Sequence, residues 1–193
     1  MGIVASLRRA RRRSGMSLRA LAERSGVASS NLSMIENGRR DPTASTVDKV
    51  ASAIGIEWIP VLAEGRSPAA RAAAEIIRAD DDGHFAQAYR RFLQLNDELA
   101  SADPVTKVLL SAEAPDTSSS RWLDAIAALV EVRLLEVSAP VPFWVTEREG
   151  RPDVMWEPRR SSQPLPVSAE LARVSPSFLD RGIAIEDGEL VSI

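Results

Sequence analysis

The chain contains no cysteine and a single histidine, His84, among its 193 residues. Without thiols it forms no disulfide and holds no Cys-based metal or redox centre. With one imidazole it cannot build a His-rich metal site or a relay of several histidines. It also lacks any run of about 18 apolar residues, the length a membrane-spanning helix needs. The opening MGIVASLRRARRRSG has too little apolar length ahead of its arginines for a secretory signal. A cytoplasmic protein with no membrane association is expected. Lysine is scarce too: only Lys49 and Lys107 accompany 22 arginines. Together with abundant Ala, this bias fits a GC-rich genome and carries no functional weight.

What is present is globular: 45% hydrophobic and 26% charged residues. The length allows one domain or two small ones. The net charge of −3 conceals an asymmetry. Residues 1–66 hold 11 basic and 6 acidic residues, whereas the rest hold 13 and 21. A basic N-terminal third on an acidic body suggests that one end meets an anion.

Residues 1–65 read as short helices with short breaks. Val4, Leu7 and Ala10 mark one apolar face, stopped by Gly15. Ser17 caps a helix carrying Leu18, Leu21 and Ala22, and Gly26 breaks it. Leu32 and Ile35 mark the inner face of a third helix, ended by Asn37-Gly38. Thr43 leads into a fourth with Val47, Val50, Ala51 and Ile54 at helical spacing. Trp58 to Leu62 is a final apolar piece expected to close the core.

The composition of Glu64–Ala70 suggests a linker. A helical connector over 66–118 follows, with Phe85 to Leu95 and Val105 to Leu110 as its apolar faces. Trp122, Ala125, Ile126, Leu129, Val130 and Leu134 form an amphipathic stripe. Six prolines between Pro140 and Pro166 exclude long helices there. Gly182–Ile185 and Leu190–Ile193 are expected as two short strands. The fold class is therefore mainly α: an N-terminal helical bundle over 1–65, the connector, and a small Pro-rich α+β domain over 119–193.

The stretch Leu18–Arg40, LRALAERSGVASSNLSMIENGRR, carries the clearest functional pattern. Ala22 is small at the inner face, Gly26 permits the positive φ of a tight turn, and Val27, Leu32 and Ile35 seat a second helix across the first. That arrangement holds the second helix out as a probe for the DNA major groove.

On these residues, with Leu7–Arg11 and Ile35–Thr43, the segment 7–62 resembles the phage-repressor, or XRE, class of helix-turn-helix domains. The resemblance implies a five-helix bundle that binds double-stranded DNA as a homodimer on two half-sites. It implies that Ser29, Ser30, Asn31, Ser33 and Met34 face base edges, and that Asn37, Arg39 and Arg40 meet phosphates. It also implies an internal Arg11–Glu36 ion pair. Arg8, Arg9, Arg12 and Arg13 add charge nearby, and Arg12 is taken as a further phosphate contact. The family often holds a phosphate with Gln where this chain has Leu18. No Arg lies in the probe, so phosphates are expected to carry much of the affinity.

Asp80-Asp81-Asp82-Gly83-His84 superficially suggests a metal loop, but Arg91 stands where a Ca²⁺ loop needs its closing Glu. No metal or cofactor is expected. Glu147, Glu149, Asp153 and Glu157 lack an accompanying nucleophile or phosphate loop, so no catalytic residue is assigned and no enzyme is expected.

The segments Arg121–Ala125, Ala139–Trp144 and Phe178–Ile185 recur in the order seen in a second group. They resemble helix-turn-helix regulators of GC-rich bacteria encoded beside nucleotidyltransferase-like toxins, regarded as antitoxins. This implies a protein toxin as partner, with Pro142, Trp144, Trp156 and Phe178 as candidates for its surface. The alternative is a ligand-sensing regulator without a toxin, which would need a preformed pocket.

Overall fold

The computed structural model describes residues 3–58, 61–115, 119–163 and 168–191. The chain is mainly helical and divides into two compact units, Met1–Pro60 and Val61–Ile193.

Four helices are present among the described residues of the first unit: α1 (Ile3–Arg13), α2 (Leu18–Ser25), α3 (Ser29–Glu36) and α4 (Ala44–Ala53). Their shared core is Leu7, Leu21, Leu32, Val47, Val50 and Ala51, edged by Met16, Leu18, Ala22, Val27, Ile54 and Ile56. Burying each large aliphatic side chain contributes about 1.5–3 kcal/mol. Of the piece expected to close this core, Ile59 and Pro60 lie outside the described residues. Trp58, Val61 and Leu62 are exposed, Trp58 at 42%, and Trp58 does not join the core. Ile56 packs against it instead.

The second unit contains α5 (Ala69–Asp81), α6 (Phe85–Ala100), α7 (Pro104–Ala112), α8 (Arg121–Leu135) and the short helices α9 (Phe143–Thr146) and α10 (Pro176–Leu179). Two 3₁₀ turns, Leu171–Arg173 and Asp187–Leu190, complete it. Helix α8 is central. Every residue from Trp122 to Val130 is buried, including Leu123, Ala127 and Ala128, which lie off the expected stripe. The stripe widens to the full circumference because α5, α6, α7, α9 and α10 all pack on this helix. The segments read as connector and C-terminal domain thus share one core, from Ala69 to Leu190.

The two expected strands are replaced. Residue Ile183 forms a single parallel bridge with Trp156, through Trp156 N–H to Gly182 O and Ala184 N–H to Trp156 O, both at 2.8 Å. Leu190 belongs to a 3₁₀ turn closed by a capping box between Glu186 and Glu189, so it cannot pair with 182–185; Ser192 and Ile193 lie outside the described residues. The acidic run around Asp80 ends α5, and His84 precedes the first turn of α6.

Candidate functional site

The probe helix is built by local signals. Ser17 Oγ accepts the Ala20 N–H at 3.1 Å and starts α2. Gly26, at φ +69°, ends α2 in the left-handed region, where a Cβ is disfavoured. Ser25 then bridges the turn, donating to Leu21 O and accepting from Val27 N–H. Two residues later α3 begins, and Leu32 and Ile35 anchor its inner side.

The opposite side of α3 stays open. Ser29, Ser30 and Met34 are exposed, and Asn31 and Ser33 are half-buried. Ser29, Ser30, Ser33, Met34 and Asn37 follow helical spacing and share one face. Asn37 Nδ2 lies 3.5 Å from Ser33 Oγ, at the limit of a hydrogen bond. Asn31 Oδ1 is shielded from solvent and has no hydrogen-bond partner.

Past α3, Asn37, Arg39 and Arg40 are all exposed. The Gly38 and Arg39 amides close onto Ile35 O and Met34 O, which fixes where the two arginines leave the helix. Neither arginine has an ion-pair partner among the described residues, and the same holds for exposed Arg12 and Arg13. Arg8 differs. Its NH1 donates to Glu36 O at 3.1 Å, so it is engaged within the unit.

Arg11 is also engaged. Its Nε and NH2 each lie 2.7 Å from one oxygen of the Glu36 carboxylate, and NH1 donates to Met16 O at 2.6 Å. The hydrogen bonds to Glu36 raise the guanidinium pKa above its ordinary value, against the opposing effect of burial. This pair ties α1 to the last residue of the probe helix. Leu18 is half-buried and packs against the core.

In the second unit the candidate partner residues divide. Phe178 is wholly buried, so it is a core residue and not a surface one. Trp156 packs edge-on against Trp122, ring centroids 5.3 Å apart, and is only partly open. Trp144 is also half-buried, with its indole N–H donating to Ser111 O at 2.9 Å. Pro142 is half-exposed, and its neighbour Phe143, at 75% exposure, is the most open aromatic there.

Two of the three C-terminal segments meet through Arg121 and Arg181, and Arg181 also reaches Val145 and Arg148, just past the third. Arg121 NH2 reaches Arg181 O at 3.0 Å and Gly182 O at 2.7 Å. Arg181, itself buried, donates to Val145 O, Arg148 O and Ser177 O and pairs with Glu131 at 2.6 Å. Arg148 pairs in turn with Asp124 at 2.7 Å. Burial lowers the Arg121 pKa, and Asp124 partly offsets this. Two glycines let the loops interlock. A Cβ on Gly182 would meet Arg151 O at 2.1 Å, and one on Gly150 would meet the Arg181 backbone at 2.7 Å. An arginine followed directly by Gly and an apolar run was the available signal for this.

Among the described residues no group of three or more His, Asp or Glu is placed to hold a metal ion, and no helix is long and apolar enough to cross a membrane. Comparison with curated proteins and with solved structures returned no match. Residues 7–59 match a family model described as Helix-turn-helix. With the open face of α3 held between a buried inner side and two free arginines, residues 7–59 are a helix-turn-helix segment of the XRE type, the DNA-binding element of a transcriptional regulator.

Proposed function

We propose that this protein is a sequence-specific repressor that binds double-stranded DNA as a homodimer and serves as the antitoxin of a toxin–antitoxin pair. The first unit binds the operator of its own operon. Residues Ser29, Ser30, Asn31, Ser33 and Met34 approach base edges, and Asn37, Arg39, Arg40 and Arg12 hold phosphates. The second unit neutralises a protein toxin and performs no catalysis.

The observation that carries the DNA reading is the open α3 face flanked by exposed arginines that have no ion-pair partner among the described residues. For the antitoxin role the support is narrower. Of the segments on which the resemblance rests, Arg121–Ala125 and Phe178–Ile185 join through Arg121 and Arg181, and Arg181 bonds Val145, which directly follows Ala139–Trp144. Phe143, open to solvent at the edge of that structure with half-exposed Pro142 beside it, is where a partner docks. Exposed aromatics dominate binding energy at interfaces.

Co-expression of the full chain with the product of the neighbouring open reading frame tests this. Growth rescue and co-purification are expected, with both lost in Phe143→Ser while DNA binding persists. No toxicity and no complex would overturn the antitoxin role and favour a ligand-sensing regulator, leaving the DNA reading intact.

A further inference from the structure

The exposed side of α3 is chemically narrow. Between Ser29 and Glu36 there is no Lys or Arg, so the strong bidentate reader of guanine is missing from the helix. Ser29, Ser30 and Ser33 are short, and a hydroxyl bonds to several base edges with little discrimination. Asn31, the one amide within the helix, has its Oδ1 shielded and unpartnered, so the paired donor and acceptor that read adenine are not presented together.

Met34 stands apart. It is the one large apolar side chain that α3 leaves open, at 38% exposure, while Leu32 and Ile35 are buried. It lies outside the core of its unit and takes no part in seating the helix. The major groove offers an uncharged, polarisable side chain one specific apolar feature, the C5 methyl group of thymine. A thioether adapts its three rotatable bonds to such a contact.

We propose that Met34 is the specificity-determining residue of the probe helix and that each half-site places a thymine methyl against it. This rests on the DNA-binding reading above and adds what the operator contains.

The test begins with duplexes enriched by the full chain from a randomised pool. In an enriched duplex each thymine is replaced singly by uracil, which removes only the methyl group. One thymine per half-site is expected at which the replacement weakens binding about three- to fivefold, the worth of one buried methyl. Met34→Ala is expected to bind the thymine and uracil duplexes equally, and Met34→Leu to retain the difference. Uracil tolerated at every position would overturn the proposal. So would an undiminished thymine preference in Met34→Ala, or enriched half-sites that hold no thymine. Failure of the DNA reading itself looks different: no sequence is enriched and retention does not fall with salt. The Met34 assignment falls with it in that case.

Discussion

The Arg11 guanidinium grips both carboxylate oxygens of Glu36, 2.7 Å to each, and so locks the end of the probe helix to α1. Both side chains are nearly buried, with about a tenth of each open to solvent. Removing one partner of such a pair leaves the other charge shielded and unmatched, which costs about 3 kcal/mol. Arg11→Ala is therefore expected to lower the melting temperature of the first unit markedly, and Arg11→Lys to restore only part of it, because the ammonium cannot make the two-pronged contact. Thermal melts followed by circular dichroism check this. Unchanged melting in Arg11→Ala would remove the pair from the structural role.

Arg39 leaves the end of α3 exposed and has no ion-pair partner among the described residues. A cation on a phosphate releases about one counterion when it binds. Arg39→Ala is expected to weaken binding to all duplexes by a similar factor and to reduce the salt slope by about one. Titrations at several salt concentrations read both quantities, and a preserved slope would exclude Arg39 from the phosphate contacts.

Gly182 sits at φ +68° with the Arg151 carbonyl where a Cβ would go, 2.1 Å away. Gly182→Ala forces the two interlocked loops apart and strains the backbone, at a cost of about 3 kcal/mol or more. The second unit is expected to melt earlier, while the first unit, which holds none of these contacts, keeps its own transition. Calorimetry that showed native stability in this variant would contradict the interlock.

Tyr89 donates its phenolic proton to Glu189, beneath the Arg160 guanidinium, which lies 5.1 Å from the ring centroid. Burial, then the Glu189 hydrogen bond, raises the phenol pKa well above its ordinary value. A raised pKa stabilises the fold below the unfolded value of about 10, and that contribution is lost as pH rises beyond it. Stability should fall by about 1.4 kcal/mol per pH unit above pH 10, and Tyr89→Phe should flatten this decline. Denaturant titrations across that range decide it; identical pH dependence in both proteins would refute the assignment.

The first unit was largely legible because its signals act within one helical turn. Ser17, Gly26, Gly38 and Thr43 start or stop helices through contacts with residues three or four positions away. The second unit was less so, because distant segments decide it. Ala127 and Ala128 look neutral on a helix, and become core only when helices from both sides cover α8. The apolar alternation at 182–185 resembles a strand, yet its partner is Trp156, 27 positions before Ile183. A sequence does not show what covers an aromatic ring, so it does not separate core rings from surface ones. Phe178 is enclosed and Trp156 is held by Trp122, which leaves Phe143 as the open ring.

The most direct measurement is a salt-resolved binding titration of the full chain against the duplex upstream of its own coding sequence and against a shuffled duplex of equal composition. Saturable binding that prefers the upstream duplex and weakens steeply with salt is the expected result. Equal affinity for both duplexes would contradict sequence-specific repression, and binding to neither would contradict the assignment of the α3 face to DNA.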